Sequence, residues 1–452
     1  MKKEKEISLI QVLGLGTAIL LVAGNMIGSG VFKKIAPMSS ELMDSKLILL
    51  AWAVAGIITM LGAFSFASLA TTTKEAGGQF KYFKNIFGDF LGFIYGWSFF
   101  TVISTASIAS IAYVFAESFV NLFHLQSFFD STIQNATTKL VAISALLFLT
   151  LLNIRGVEWG GVLSNIITSA KILGILFLIV LGLSFSGHAP AVTSHPISAM
   201  QTSNIVHISA FFTAMLGAFW AYDGWVNITN MASEFKNPTK NIPIAIISGT
   251  ALTMFLYLLV NYAYLQVLSP ADFAHSAQGT IAAVEVANIA MGSLGATIIS
   301  VLIIISTLGA TQASTMSAAR VYYQMAKEGY FFKSFSKVHR KYKTPHISLW
   351  GQMLWASLLI MSGTFDQLTD MLIFAAFIFY ALGAVGVIYL KRAGKLTLTF
   401  GYPVVPILFL LCSLVIVINA IYTRPLESLM GLGLMTLGIP FYLFFRARMR
   451  AK

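Results

Sequence analysis

Residues 24–30 read Gly24-Asn25-Met26-Ile27-Gly28-Ser29-Gly30 and lie inside an apolar run covering 8–35. Three glycines and a serine in seven residues disfavour a continuous helix. The run is nevertheless long enough to cross a hydrocarbon core of about 30 Å. Irregular backbone at that depth survives only where protein buries it or where it lines a cavity. A second interruption, Trp220-Ala221-Tyr222-Asp223-Gly224-Trp225, falls in the apolar run 206–233. Asp223 sits well inside that run. A carboxylate there is costly, and it is a functional candidate by default.

Apolar runs recur along the whole chain. We read about twelve spans, at 8–35, 46–72, 88–120, 138–154, 157–186, 206–233, 241–267, 292–326, 346–363, 367–391, 401–422 and 427–447. Of the 452 residues only 10% are charged, against about 25% in an ordinary soluble domain. So few charges cannot build a water-facing surface for a chain of this size. The expectation is an all-α membrane protein, a single transmembrane domain over 1–452. No long polar linker divides it, and the segment 184–204 (SFSGHAPAVTSHPISAMQTSN) reads as a loop. The opening MKKEKE resembles the charged start of a signal peptide, but no small-residue cleavage site follows. It therefore reads as the start of an uncleaved first span.

The net charge of +12 has a topological distribution. With the N-terminus inside, the cytoplasmic segments hold Lys2, Lys3, Lys5, Lys74, Lys81, Lys84, Arg155, Lys236 and Lys240. The loop 320–345 and the segments around 391–395 and 446–452 hold most of the remaining cations, starting with Arg320. The outside keeps Lys33, Lys34, Lys46, Lys139 and Arg424. This is the positive-inside pattern, with both termini cytoplasmic in the plasma (inner) membrane. A nucleic-acid partner is excluded, because no soluble basic domain carries the charge. No metal or cofactor is expected: the histidines lie in or beside loops and none pairs with Cys or carboxylates at ligand spacing. Cys412, the single cysteine, reads as a small hydrophobe.

The two breaks fall in the first and sixth spans. Those positions correspond if spans one to five (8–186) and six to ten (206–391) are inverted repeats, with extra helices over 401–447. Interruptions in corresponding positions of two halves point to a transporter's central site. Half-helix N-termini offer free N–H groups to a carboxylate. Half-helix C-termini offer free carbonyls to an ammonium. A zwitterion matches the pair. The competing reading is close packing, since Gly24 and Gly28 are four apart.

Lys171 lies about fourteen residues into the fifth span, about 21 Å along a helix. It reads as the only Lys or Arg deep in a span. It either stays charged against backbone carbonyls or sheds its proton; the alternative is snorkelling to the surface. Ser104, Thr105 and Ser107 in the third span line a cavity or bond to their own helix. Glu117 reads as reaching water near the outer end of that span. Gly14-x-Gly16 lacks a preceding strand, so a dinucleotide site fails.

GNMIGSGVF, then FWAYDGW with EFKNPTKNIPIAI, then ARVYYQMAKEGYFF and TPHISL resemble the amino acid–polyamine–organocation superfamily. The matches run from about 20 to 350 in the family's order, nearest the L-type transporters and bacterial serine/threonine exchangers. The resemblance implies a LeuT-type five-plus-five fold with broken helices one and six, and alternating access. It implies substrate binding by Met26, Ile27, Gly28, Ser29, Gly30, Trp220, Ala221, Tyr222, Asp223 and Gly224. Ser29 and Gly30 take the carboxylate in this reading. The carbonyls of Met26, Trp220 and Asp223 take the amino group, and Trp220 is an aromatic gate. Lys171 stands where sodium-coupled relatives bind sodium. Lys33 and Lys34 depart from the family, where apolar residues and a proline are usual, and Phe332 stands in place of another proline.

The expected activity is a sodium-independent exchanger or proton-coupled carrier of small or medium neutral L-amino acids. A cationic amino acid or polyamine antiporter is the alternative, and an ion channel is the alternative from another class. An enzyme is not expected, because no catalytic constellation lies within the spans. The partners are an amino acid and the lipid bilayer. A homodimer or an accessory subunit is left open.

Overall fold

A computed structural model describes residues 13–123, 125, 131–155, 158–185, 204–276 and 281–450. The loop read at 184–204 and the N-terminal lysines lie largely or wholly outside the described residues.

The first span is three pieces: α1 (Leu15–Met26), α2 (Gly30–Lys33) and α3 (Ile35–Leu42). α4 (Ser45–Ala70) is the second, followed by the connecting helix α5 (Gly78–Phe87). The third is α6 (Asp89–Ser98) and α7 (Ser104–Leu122), joined by a π turn at Phe99–Ile103. α8 (Ser131–Arg155) and α9 (Glu158–Ser184) are the fourth and fifth. α10 (Asn204–Tyr222) is the sixth and runs into a 3₁₀ segment, Asn227–Glu234. Then come α11 (Pro238–Val267), the short α12 (Pro270–Ser276), α13 (Ala282–Lys327), α14 (His346–Ser362) and α15 (Phe365–Arg392). α16 (Val404–Thr423), α17 (Pro425–Thr436) and α18 (Gly438–Arg450) end the chain.

Among the described residues ten helical stretches are long and apolar enough to cross a membrane. α10 and α14, with 19 and 17 residues, stand at the other two expected spans. The two boundaries that differ most from the sequence reading lie in the eighth and sixth spans. α13 begins at Ala282 rather than 292, with Gly292 at φ +66° interrupting it. The α-helix of the sixth span stops at Tyr222 rather than near 233. A glycine at positive φ lets one helix absorb a bend that a local pattern reads as a loop.

Burial sorts the spans. The Asp89–Leu122 and Phe365–Arg392 stretches are 89% and 78% buried, whereas α16 is 28% buried. The third and tenth spans therefore lie in the interior, and α16 lies toward the outside of the helix assembly. α15 starts at a fixed place because Thr364 and Gln367 form a capping box: Thr364 Oγ1 accepts from Gln367 N, and Gln367 Oε1 accepts from Thr364 N. That anchored first turn carries Phe365, Asp366 and Thr369. The π turn of the third span leaves carbonyls free, and Trp355 Nε1 and Thr105 Oγ1 donate to those of Thr101 and Phe100.

Candidate functional site

The two breaks are seated against each other. A Cβ at Gly30 would come 2.5 Å from Ala221 Cα. A Cβ at Gly224, whose φ is +102°, would come 2.9 Å from the Asn25 carbonyl oxygen. Each break therefore carries a glycine against the other's backbone, and the pair forms one irregular core. Close packing also explains Gly24, where a Cβ would strike Thr168 Oγ1 at 2.3 Å. It does not explain Gly28, whose nearest neighbour is in ordinary contact at 3.6 Å. Gly28 faces a cavity instead.

That cavity has a volume of about 10 Å³, room for roughly one water molecule. Met26, Gly28, Ser29, Gly30, Trp220, Asp223 and Gly224 line it, all singled out from sequence. Ile27, Ala221 and Tyr222 do not line it. The Ile27 carbonyl turns to Lys171, Ala221 seats Gly30, and Tyr222 Oη donates to the Trp52 carbonyl. Asn25, Ser107, Ile111, Asn227 and Ser314 line it too. Of these, Ser107 is the one expected from sequence to line a cavity. Thr105, its neighbour, bonds to its own helix instead. Asn227, four residues past Asp223, was the legible one that was missed.

The cavity wall holds polar atoms that lack partners. Ser29 Oγ, Asn25 Oδ1 and Trp220 Nε1 are buried without a hydrogen bond among the described residues. The N–H groups of Ser29 and Gly30 meet no backbone acceptor there either. Each orphaned group costs about 1–3 kcal/mol, which a ligand's polar ends would relieve. Donors cluster at the start of α2, the place suited to a carboxylate. The opposite end is less open. The Met26 carbonyl already accepts from Gly28 N and from Tyr257 Oη at 2.8 Å each, and the Trp220 carbonyl accepts from Asp223 N. Asp223 Oδ1 accepts from Tyr380 Oη at 2.8 Å.

Lys171 is 1% exposed, so it does not snorkel. Its Nζ donates to the carbonyls of Gly24 and Ile27 at 2.9 and 2.8 Å. Ser306 Oγ on α13 also reaches Ile27, at 3.5 Å. The ammonium thus ties α9 to the frayed end of α1, beside α13. It is not the only buried cation: Lys34 and Arg320 are each 2% exposed. Their partners are distant in sequence, which is why local patterns placed both in loops.

At the Lys34 end two layers cover the cavity. Trp220 meets Phe365 edge to face at 6.1 Å. Lys33 and Lys34 each hold an ammonium over the Phe365 ring, at 4.7 and 4.6 Å. Lys33 pairs with Glu117 at 2.6 Å, so Glu117 is engaged rather than simply hydrated. Lys34 pairs with Asp366 at 2.7 Å and donates to Thr369 at 3.0 Å.

At the Arg320 end the 3₁₀ segment forms the cover. Arg320 Nε donates to Glu234 Oε1 at 2.9 Å, with side chains 2% and 3% exposed. Leu13 N donates to the Glu234 carbonyl, and Lys236 N to the Leu13 carbonyl. The chain before α1 is thereby strapped to the chain after α10. Nearby, Glu328 bonds Lys81, Lys84 and Gln324. Burial alone would raise the Glu328 carboxyl, but the bonds from these partners win and hold it below its usual range.

A family model described as amino acid permease matches residues 13–439. The serine/threonine exchanger SteT of Bacillus subtilis (strain 168) is 31% identical over 446 residues, covering 96% of this chain and 97% of the relative. The b(0,+)-type amino acid transporter 1 of Mus musculus is 29% identical, covering 98% and 89%. The large neutral amino acids transporter small subunit 2 of Mus musculus is 28% identical, covering 96% and 81%.

Proposed function

Because the chain belongs to the amino acid permease family, and is an amino acid transporter of the amino acid–polyamine–organocation superfamily, we propose that it exchanges small neutral L-amino acids without sodium. Serine and threonine are the first candidates, by its similarity to SteT. The observation that carries the reading is the cavity between the two breaks, with its unpartnered donors at the start of α2. The solute's carboxylate lies against Ser29 and Gly30, and its side chain lies toward Ser107, Ile111 and Asn227. Cavity walls that nearly meet fit a carrier closed at both ends, and alternating access opens one end at a time.

Sodium independence rests on Lys171, whose ammonium occupies the carbonyls of Gly24 and Ile27 that could otherwise hold a cation. We read spans one to five and six to ten as inverted halves of one domain. We place the Lys34 end outside and the Arg320 end in the cytoplasm, on the loop charges. The cationic alternative has one observation behind it, the Asp223 carboxylate at the cavity wall. Tyr380 already bonds it, which favours the neutral reading.

The test is uptake of radiolabelled L-serine into proteoliposomes, with unlabelled amino acids as competitors. Uptake that needs internal amino acid and survives replacement of sodium by choline supports the proposal. Steep sodium dependence, or competition by arginine alone, overturns it.

A further inference from the structure

The segment Lys333–Lys343, between α13 and α14, carries five exposed cations, and the last turns of α18 carry three more, Arg446, Arg448 and Arg450. No Asp or Glu occurs between Gly329 and Phe365, or from Ser428 to the end of the sequence. The eight cations therefore give a local balance of +8 in a chain whose total is +12. Lys341 lies over the Tyr342 ring at 5.4 Å and Arg446 over the Tyr442 ring at 5.9 Å. None of the eight pairs with a carboxylate among the described residues.

The two segments form one surface. Phe445 of α18 lies against Phe331 and Phe332, with ring centres 6.3 and 5.3 Å away. A Cβ at Gly329 would come 2.9 Å from Met449 Sδ. The far end of the loop is tied down as well: Thr344 Oγ1 donates to the Ile154 carbonyl at the end of α8. The loop thus lies across the helix ends instead of projecting from them. Its depth follows from helix length. The stretch Pro425–Arg450 has 26 residues, and a hydrocarbon core of about 30 Å takes up about 20 residues at 1.5 Å each. Counted from Pro425, the core ends near Phe444, and the arginines begin two residues later. Leu443 and Phe444 are 57% and 55% exposed, and Phe332 is 43% exposed. Exposed apolar side chains therefore run directly into unpaired cations at the depth of the headgroups.

We propose that this face binds anionic phospholipids of the adjoining leaflet. Their phosphates take the α18 guanidinium groups, which suit two-point contact, and the loop lysines. Their acyl chains pack on Phe332, Leu443 and Phe444. A second copy of this chain would set the same positive face against itself. A free anion would leave the aromatic rings uncovered.

The test titrates the purified full-length protein in detergent with phosphatidylglycerol, and with phosphatidylcholine of the same acyl chains, reading bound lipid by native mass spectrometry. A loop variant carries Lys333→Gln, Lys337→Gln and Lys341→Gln. A helix variant carries Arg446→Gln, Arg448→Gln and Arg450→Gln. A control carries Lys391→Gln, Arg392→Gln and Lys395→Gln, the same loss of charge from another segment read as cytoplasmic. Wild type should bind phosphatidylglycerol at least about tenfold more tightly than phosphatidylcholine. The loop and helix variants should each lose about tenfold for phosphatidylglycerol alone, and the control should match wild type. Melting temperatures check folding, and if one variant fails to fold the other decides. Equal affinity of wild type for the two lipids overturns the proposal. So does a loss in the control as large as in the loop and helix variants, which would reduce the effect to total charge. Polyglutamate or inorganic phosphate that binds as tightly as phosphatidylglycerol would make the occupant an acidic protein or a free anion, and would also overturn it.

Discussion

Removing the Lys171 ammonium while keeping its stem, as Lys171→Met, isolates what the charge does. Nζ supplies the hydrogen bonds to the carbonyls of Gly24 and Ile27. In an unbroken helix Gly24 would accept from Gly28 N, but that N–H turns to the Met26 carbonyl. Without Lys171 the Gly24 carbonyl is bare, and Ile27 keeps only Ser306 at 3.5 Å. A buried acceptor left unpaired costs about 1–3 kcal/mol, and a 3.5 Å bond offsets little of the second, so the two cost about 2–6 kcal/mol. Even the lower figure, about 2 kcal/mol, corresponds to about 30-fold in a rate. We expect uptake to fall at least that far in Lys171→Met and further in Lys171→Ala, which adds a void. Lys171→Arg should also fail, because a planar fork does not fit a site shaped for a compact ammonium. Substrate binding should suffer less, since Lys171 does not line the cavity. The assay is binding and uptake side by side in purified, reconstituted protein, with melting temperature as the control for folding. Wild-type uptake by Lys171→Ala would refute the reasoning.

Gly224→Ala should cripple transport, because the new methyl meets the Asn25 carbonyl at 2.9 Å at a residue of positive φ; normal uptake would mean the breaks are not locked together. Glu234→Ala should lower stability by about 3–5 kcal/mol by leaving a buried guanidinium unpaired. The apolar pair Glu234→Leu with Arg320→Met should recover most of the melting temperature, and a single variant that melts like wild type counts against burial of the pair. The Glu328 carboxyl is held below its usual range. Its contribution is therefore complete above the unfolded value near 4.5 and is lost as pH falls further, through the folded value. A thermal-melt series from pH 7 to 3.5 should show an acid-side loss in wild type that Glu328→Gln lacks.

The breaks were legible because they violate a strong local expectation: glycine and a carboxylate have no reason to stand in a lipid-spanning helix. Lys171 was legible for the same reason. Arg320 was not, because it sits at the end of its apolar run and its partner Glu234 is 86 residues away. Lys34 and Asp366 are 332 residues apart, so nothing local announces their pairing. Ile27 and Tyr222 show the converse limit. They lie within the broken segments, yet the direction of one carbonyl and one ring takes them away from the cavity. Membership of a motif is written in sequence; the face a residue presents emerges only when the halves meet. The early start of α13 was missed for a related reason, since Gly292 reads as a loop residue when its two flanking helices are judged separately.

The covers at the two ends are unequal, and the inequality makes a prediction about which opens first. At the Lys34 end the ion pairs involve a carboxylate that is 27% exposed and one that is 62% exposed. Each pair thus opens to water at its carboxylate although the Lys34 ammonium itself is buried, and salt weakens such half-exposed pairs more than one buried on both sides. Each ammonium over Phe365 adds about 0.5–1 kcal/mol. At the Arg320 end the pair is buried on both sides and reinforced by the backbone strap through Leu13. Salt screens it little, and parting it leaves the buried guanidinium with only the Met316 carbonyl as a partner. Raising ionic strength should therefore open the Lys34 end selectively. With Cys412 replaced by serine, a single cysteine at Ile111 on the cavity wall can be labelled by a membrane-impermeant thiol reagent from either face. Labelling from the Lys34 face should accelerate between about 0.05 and 0.5 M salt, because screening weakens the half-exposed pairs over that range. Labelling from the Arg320 face should stay flat. Equal acceleration from both faces would show that the buried pair is wet, and that the two covers share one chemistry after all.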